Sequence, residues 1–166
     1  EMRSTGEVLG IANSFGLGFF KGKEGAQQLL PQDGAVLISL SSKEMPAALE
    51  MARQFTELGF KIKATHGTQQ FLASYGIESE FIPKMHEERP NIVDGIKNGE
   101  IQLVINTPVG KQSQYDDSYI RKAAIKYKIP YITTLAAAVA AAKGIAEYRK
   151  GKSNVKSLQS YHAEIK

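Results

Sequence analysis

The sequence predicts an α/β fold in which five parallel strands form one sheet with helices on both faces. Short apolar runs that suit buried strands alternate along the chain with segments whose apolar residues recur every three or four positions. The helical segments span about ten residues or more, as crossovers between parallel strands require. With 166 residues, 42% of them hydrophobic, the chain has the size and composition of one globular domain. We therefore expect a Rossmann-like α/β sandwich.

The first predicted element is a packed helix around the apolar patch of Phe15, Phe19 and Phe20. Three glycines nearby lack the G-x-G-x-x-G spacing of a dinucleotide loop and follow no strand. They therefore favour close helix packing over a dinucleotide site. These glycines are Gly16, Gly18 and Gly22.

The next unit is a buried strand at 35–40, followed by a helix. Ser41 and Glu44 have capping-box spacing at the start of this helix. Its apolar stripe stops at Gly59, which suits a helix end, and a second strand is predicted at 60–64. The stripe consists of Met45, Ala48, Leu49, Ala52, Phe55 and Leu58.

The remainder of the chain repeats this alternation. We predict a loop at 65–68, a helix ending at Gly76, a strand at 80–82, a helix from Pro90 to about Gly99, and a central strand at 101–106. A helix at about 116–127, a strand at 129–132, and an alanine-rich helix from Thr133 and Thr134 to Ile145 follow. The polar, basic stretch 148–166 is expected to be a tail on the surface.

The composition limits the classes of binding partner and the cellular compartment that we expect for this protein. There is no cysteine, which excludes disulfides and thiolate chemistry and favours a cytoplasmic setting. The formal net charge of +4 favours an anionic partner, and the scattered lysines favour a small anion or a protein surface over nucleic acid. No apolar run approaches the roughly 20 residues of a membrane span, so no membrane association is expected. Because the chain begins with Glu1, we also expect an upstream region.

Polar or small residues follow every predicted strand, and ligands of open parallel sheets bind at these carboxyl ends. Thr65 and Thr68 flank a glycine at a helix start, where exposed N–H groups favour a phosphate; simple capping is the alternative interpretation. Lysines could add charge, and the Asn106 amide could bind a ribose or base. The candidates are Ser39, Ser41, Ser42, Lys43, Thr65, His66, Gly67, Thr68, Lys84, Asn106, Thr107, Thr133 and Thr134.

Acid, base and metal chemistry have weaker support in the sequence. His66 and His86 lack convincing partners, and His86 with the two following glutamates favours a solvated loop over a metal site. Asp116 and Asp117 could be paired carboxylates, but their predicted place at a helix start favours an N-cap and a first-turn acid.

Several segments together resemble the carboxyl-terminal allosteric domain of the bacterial carbamoyl phosphate synthase large subunit, which has a methylglyoxal-synthase-like fold. The resemblance covers essentially the whole chain. It is carried by 64–68 (ATHGT), 84–90 (KMHEERP), 105–107 (INT), 120–122 (IRK), 133–135 (TTL) and the two ends, 1–8 and 162–166. Two departures are Met45, where many members have a lysine, and Pro108, where a second threonine is common.

The resemblance implies a non-catalytic regulatory domain at 26–150, preceded at 1–25 by the end of an ATP-grasp module and followed by a tail at 151–166. It implies that UMP or IMP binds at the strand ends and that ornithine binds at Asp116 and Thr133. By this likeness the nucleotide would contact Ser39, Lys43, Thr65, Thr68, Lys84, Asn106 and Thr107.

The resemblance also implies a larger enzyme. No cofactor is expected in this domain, whereas the full-length enzyme would use ATP and magnesium or manganese to make carbamoyl phosphate for pyrimidine and arginine synthesis. The partners would be the rest of the large subunit, a glutaminase small subunit, and a further copy of the chain in a homo-oligomer. An assembly role without effector binding is the alternative. Methylglyoxal synthase activity is disfavoured because the family's Gly-Gly-Asp-Gln-Gln run is replaced at 87–91 by EERPN.

Overall fold

The computed structural model describes residues 5–41, 44–107, 111–151 and 155–165, and within these ranges the side chains of 46 and 111–116 are left aside. Five strands form one sheet in the order β3-β2-β1-β4-β5, and every neighbouring pair is parallel. The predicted five-stranded α/β fold is confirmed. The elements are α1 (Phe15–Gly25), β1 (Ala35–Ser39), α2 (Met45–Glu57), β2 (Lys61–Ala64), α3 (His66–Ser74), β3 (Glu80–Phe81), α4 (Ile92–Lys97), β4 (Leu103–Asn106), α5 (Lys111–Lys126), β5 (Tyr131–Ile132), α6 (Leu135–Arg149) and α7 (Leu158–Ala163).

The middle of the sheet is β1, which is buried along its whole length and pairs with β2 on one side and β4 on the other. The strand predicted to be central, β4, is also interior and fully buried, but it lies one place from the middle, between β1 and β5. Strands buried on both faces have continuous apolar sequences, which is why β1 and β4 could be predicted from the sequence.

Two apolar cores cover the two faces of the sheet. Val36 and Ile38 of β1 face the larger core, which contains side chains of α1, α2, α3 and α6. Leu37 faces the smaller core, formed by α4 and α5. This alternation is the period of two of a β-strand. The helices therefore cover both faces, as predicted.

The first helix packs on the outside of α6. Phe20 of α1 belongs to the larger core and stacks on Tyr148 with ring centroids 4.4 Å apart. A Cβ atom on Gly16 would lie 2.9 Å from the Cβ of Lys143, so the helices touch at their backbones. The helix-packing interpretation of Gly16 is confirmed. The division of the chain at 25 and 150 stays a prediction.

Two helix starts differ from the sequence prediction. The N-cap of α2 is Glu44, with no side-chain cap bond among the described residues; Ser41 instead donates its hydroxyl to the Glu44 carboxylate over 3.1 Å. Pro90 does not open α4, because the N-cap is Asn91, whose side chain accepts from the N–H of Val93 at 3.0 Å. A true capping box at Asn91 fixes that start, and the proline precedes it.

The helix predicted at 116–127 begins earlier, at Lys111. Asp116 and Asp117 therefore lie inside α5, and the interpretation of this pair as N-cap and first-turn acid is wrong. The loop predicted at 65–68 is also partly wrong, because α3 begins at His66 and Thr68 lies in its first turn.

The carboxyl-terminal stretch contains a short helix that the sequence did not predict. The Tyr161 hydroxyl of α7 donates to the backbone carbonyl of Ile11 at 3.3 Å, and Lys156 forms an ion pair with Glu164. The tail thus contacts the segment that precedes α1. Within the part of the chain that the structure describes, no helix combines the length and apolar character needed to cross a membrane.

Candidate functional site

The carboxyl ends of β1 and β4 are joined by the residues that the sequence analysis selected. Ser39 and Asn106 are register partners, and the N–H of Thr107 donates to the Ser39 carbonyl at 3.0 Å. The Thr107 hydroxyl oxygen accepts the N–H of Ser41 at 3.2 Å. Ser39, Asn106 and Thr107 are buried, and Ser41 is half-buried. Parallel pairing of interior strands brings these positions together at one edge of the sheet.

The start of α3 lies at the neighbouring end of β2. Thr65 is the N-cap residue with extended backbone, yet among the described residues its side chain makes no cap bond to the helix. Its hydroxyl faces that of Thr68 at an oxygen separation of 3.4 Å, and Thr68 accepts the N–H of Leu40 at 3.1 Å. The alternative that Thr65 serves as a side-chain cap is therefore wrong.

This arrangement leaves the first-turn N–H groups of α3 without an intrahelical acceptor, as at every helix start. They stand beside two buried hydroxyl groups, Thr65 and Thr68, the latter only 1% exposed. Gly67 has no side chain that could cover these N–H groups. A Cβ atom at this position would be in ordinary contact with Met45, at 3.7 Å. N–H groups, helix dipole and hydroxyl groups together are suited to an anion of phosphate size.

A second polar cluster lies under the end of β4. The Asn106 amide nitrogen donates to Asp117 Oδ1 at 3.0 Å and to the Tyr131 hydroxyl at 2.8 Å. The Tyr131 hydroxyl itself donates to Asp117 Oδ1, and Arg121 donates to Asp117 Oδ2 at 3.0 Å. Asp117 is only 8% exposed, so its charge is compensated by these three donors rather than by water. The cluster joins β4, β5 and α5.

Tyr131 is held in its neutral form by this environment. Burial raises the pKa of Tyr131 well above its ordinary value, and the hydrogen bond to Asp117 raises it further. The Asn106 hydrogen bond and the Arg121 charge act in the opposite direction but are weaker. Arg121 also stacks its guanidinium over the Tyr131 ring, 5.2 Å from the centroid.

The sequence that forms most of this sheet matches a known family. A family model described as MGS-like domain matches residues 47–133, just over half of the chain. The chain belongs to the MGS-like domain family. The matched region runs from the first turn of α2 to the residue after β5 and includes every candidate residue at the strand ends except Ser39, Ser41, Ser42, Lys43 and Thr134.

This MGS-like domain is similar over nearly all of its length to curated proteins named carbamoyl phosphate synthase large chain. The protein from Methanothrix thermoacetophila is 45% identical over 166 residues, covering 100% of this chain and 16% of its own. That from Archaeoglobus fulgidus is 47% identical over 165 residues, 99% and 15% of the two chains. The C-terminal section of the large chain from Aquifex aeolicus is 45% identical over 158 residues, 95% and 29%. The chain thus spans less than a third of these relatives.

The remaining predicted residues of the MGS-like domain are less closely connected. Lys84 is half-buried three residues after β3, and its backbone N–H donates to the Glu87 carboxylate at 2.8 Å. Thr133 directly follows β5 and is exposed, so it lies at the same edge of the sheet. Lys43 and Ser42 lie outside the described residues, as does the departure at Pro108. Asp116 is placed only by its backbone, in α5.

The histidines of the MGS-like domain form no metal centre in the described ranges. His66 is exposed, approaches Gln70 at 3.0 Å between side-chain nitrogens, and packs edge-on against Phe81. No group of three or more potential metal ligands occurs among the described residues.

Sequence reasoning missed the roles of Asp117, Arg121 and Tyr131. One local signal was present, because Asp117 and Arg121 are spaced i, i+4 and can pair on one helix face. Because Asp117 was predicted to lie at a helix start, its spacing from Arg121 was not interpreted as an ion pair. Tyr131 gave none, since a tyrosine in a strand is ordinary.

Proposed function

We propose that this MGS-like domain is the regulatory domain of a carbamoyl phosphate synthase large chain and binds a nucleotide monophosphate at the carboxyl edge of its sheet. UMP and IMP are the two candidate effectors, and ornithine is proposed to bind towards Asp116 and Thr133. The names of the similar proteins support the enzyme assignment. The effector would control ATP-dependent synthesis of carbamoyl phosphate, for pyrimidine and arginine synthesis.

The observation that carries the effector site is the start of α3. Thr65 occupies the N-cap but leaves the helix N–H groups uncapped within the described residues. Its buried hydroxyl and that of Thr68 stand beside those groups. A phosphate there would receive hydrogen bonds from both kinds of donor and the favourable end of the helix dipole.

Further contacts of the effector would come from the adjacent strand ends. Ser39 and Thr107 lie at the ends of β1 and β4. Asn106, the last residue of β4, pairs in register with Ser39 and donates a hydrogen bond to Asp117. Lys84 and Lys43 would supply positive charge to the phosphate. The ligand is thus proposed to span from α3 across β1 to β4.

The chemistry at this edge supports binding rather than catalysis. Asp117, one of the two carboxylates considered as acid–base groups, is buried and receives hydrogen bonds from Arg121, Asn106 and Tyr131. A carboxylate so engaged is poorly placed to take a proton from a substrate. A lyase acting on dihydroxyacetone phosphate is accordingly disfavoured.

The rest of the enzyme belongs to this proposal as well. The ATP site and its Mg²⁺ or Mn²⁺ would lie elsewhere in the large chain, and a glutaminase small subunit would be a partner. The working compartment would be the cytoplasm. Regulation would then require that the nucleotide bind two states of the large chain with different affinities.

Calorimetric titration of the 166-residue chain with UMP, and separately with IMP, tests the effector site. We expect saturable binding of at least one nucleotide, and competition between them if both bind. Dihydroxyacetone phosphate serves as a control of similar charge, and it should bind much more weakly because it lacks the base and ribose. Absence of binding by both nucleotides would contradict the effector site.

An assembly role is a second candidate, favoured by exposed apolar side chains near the amino-terminal end. Leu9, on the segment leading into α1, is 80% exposed, and Phe15, the first residue of α1, is 79% exposed. Such residues are suited to contact with another protein surface. Light scattering across a range of concentrations separates the two roles: self-association that is independent of nucleotide favours assembly, whereas a monomer that binds nucleotide favours regulation.

A further inference from the structure

We propose that the carboxyl-terminal helix α7 is a latch that holds the leading segment (8–12) on α1 through the Tyr161 hydroxyl, and that this segment becomes mobile when the latch opens. None of the residues involved belongs to the proposed effector site. The latch is therefore a conformational device in a different part of the domain.

The leading segment lies in a groove on α1, and position 10 of the segment must be glycine. A Cβ atom on Gly10 would lie 2.1 Å from the carbonyl oxygen of Gly18 and 2.6 Å from the nitrogen of Gly22. Farther along the helix, a Cβ on Gly25 would meet the Val8 side chain at 3.6 Å. The three helix glycines are spaced four and three residues apart, so they share one face of α1. This face fixes the path of the leading segment.

The groove covers only one side of the leading segment. Residues 8–12 belong to no helix or strand, and Leu9 is 80% exposed. Ordering an irregular segment costs conformational entropy at every residue, whereas one hydrogen bond to a backbone carbonyl offsets only a part of that cost. Contacts on the second side are therefore needed to hold the segment in one conformation.

The helix α7 supplies the second side. The Tyr161 hydroxyl donates to the Ile11 carbonyl oxygen at 3.3 Å, and the Lys21 ammonium group of α1 donates to the same oxygen at 3.2 Å. The Lys156 ammonium lies over the Tyr161 ring, 4.9 Å from its centroid. Tyr161 and Lys156 are half-buried, whereas every other described residue of this tail is exposed. These two side chains therefore attach the tail to the domain.

The attachment is not close-packed. Lys21, Lys156 and Tyr161 line two cavities, of about 350 Å³ and about 740 Å³. One extends towards Leu158 and the other towards Glu147, so the tail meets the domain along a single row of side chains. The helix has six residues, fewer than an isolated helix needs to be stable in water. A segment with so little buried apolar contact opens more easily than the core of the sheet.

Opening of the latch changes how the leading segment is held. The Ile11 carbonyl loses one of its two donors, and the outer side of the segment meets water. In the large chain of the proposed function, this segment would connect the domain to the part that precedes it, so the latch would set the stiffness of that connection. This consequence rests on the proposed function, whereas the latch itself does not.

NMR relaxation of the ¹⁵N-labelled 166-residue chain tests the latch. We expect backbone order parameters at 8–12 near the value of rigid backbone, about 0.85, and values below about 0.6 in a chain that ends at residue 151. Tyr161→Phe keeps the ring and removes the donor, and it should also lower the order parameters at 8–12. Tyr75→Phe is the matched control at an exposed tyrosine after α3 and should change nothing there. A leading segment that stays rigid without the tail would overturn the proposal, as would one that is mobile in the unsubstituted chain.

A second variant tests the same contact from the other side. Gly10→Ala cannot enter the groove, so the Ile11 carbonyl is displaced from Tyr161. Because coupling between two elements is reciprocal, the order parameters of α7 should fall in this variant together with those of 8–12. Leu9→Ala, at the exposed neighbouring position, is the control and should leave α7 unchanged. An α7 that stays ordered in Gly10→Ala would show that the tail is held independently of the segment and would contradict the latch.

The outcomes are separate from those of the effector proposal. No nucleotide enters these measurements, so a failure of nucleotide binding leaves the test of the latch intact. Amide exchange of the sheet and the urea midpoint verify that each variant is folded. Mobility confined to 8–12 and α7, with the sheet still protected, is the result expected of a latch. Loss of protection throughout the sheet would show that the tail and the core unfold as one unit and would overturn it.

Discussion

Gly16 of α1 and Gly144 of α6 meet backbone to backbone where the two helices cross. A Cβ atom on Gly144 would lie only 2.5 Å from the carbonyl oxygen of Gly16, and one on Gly16 would lie 3.0 Å from the nitrogen of Gly144. Neither backbone can move aside as a flexible side chain would. The first helix is thus held on the domain at a distance that only glycine permits.

This contact predicts that Gly144→Ala destabilises the fold. The added methyl group must separate α1 from α6, and overpacking of this kind costs about 1–3 kcal/mol in the free energy of unfolding. Urea denaturation followed by circular dichroism measures this loss of stability.

Gly22→Ala is the matched control on α1, because its Cβ would come no closer than 4.0 Å to a neighbouring atom, Gly10 N. That variant should be neutral or gain up to about 1 kcal/mol in helix propensity. Equal effects in the two variants would contradict the close contact.

The effector site predicts that Thr65→Ala combined with Lys84→Ala weakens nucleotide binding by about tenfold or more, since a hydroxyl donor and a positive charge are both lost. The fold should persist, because the Thr65 hydroxyl does not cap α3. Calorimetry gives the affinity and thermal unfolding the stability. Lys61→Ala is the control: it removes the same charge from the opposite, amino end of β2 and should leave the affinity within about twofold. Unchanged affinity in the double variant would refute the site assignment.

A buried ammonium group predicts a different kind of stability effect. The Lys63 side chain is 10% exposed and pairs with Glu80 at 2.8 Å and Glu100 at 3.5 Å, whereas both glutamates are largely exposed. Glu80→Gln with Glu100→Gln leaves the ammonium without a counter-charge and should lower the free energy of unfolding by about 1–3 kcal/mol. Lys63→Met removes the buried charge and should cost less. Urea titrations of the two variants compare them, and the reverse order of stability would contradict this account.

The pKa of Tyr131 predicts a loss of stability in alkali. The folded state keeps the phenol neutral, while the unfolded chain releases the proton near the ordinary pKa of 10. The contribution is therefore complete below pH 10 and falls as the pH rises from 10 towards the higher folded pKa. Tyr131→Phe should show a shallower decline of the urea midpoint above pH 10.

Phenolate absorbance gives an independent measurement of the same group. In the folded state, the unsubstituted chain and Tyr131→Phe should show equal phenolate absorbance at pH 10, because Tyr131 remains protonated there. A difference of about half a phenolate at that pH would show that Tyr131 ionises near its ordinary pKa of 10 and would contradict the raised pKa.

The sequence determined the order of elements and the edge of the sheet at which the candidate residues lie. Buried parallel strands read as apolar runs, and glycines with positive φ ended three helices where predicted, at Gly59, Gly76 and Gly99. Because every strand is parallel, residues directly after strands must share one edge. Ser39, Thr65 and Asn106 could therefore be selected without coordinates.

Helix starts were less predictable because competing local signals are nearly equal in energy. Ser41 and Glu44 satisfy the spacing of a capping box, but their side chains bond to each other, and α2 begins at Met45. Asp116 and Asp117 resemble a cap in sequence, and the decision falls to the packing of α5 against the sheet. Each such choice is worth about 1 kcal/mol, which tertiary contacts easily exceed.

The tertiary structure alone decided what the polar groups do. Asp117 meets Asn106 and Tyr131 across 11 and 14 residues of sequence, on three different elements, and no local period encodes that meeting. Likewise, the Thr65 hydroxyl does not cap its own helix and faces the Thr68 hydroxyl instead. Apolar periodicity is a property of one segment and can be read from it, whereas the partner of a buried polar atom depends on which distant segment packs beside it.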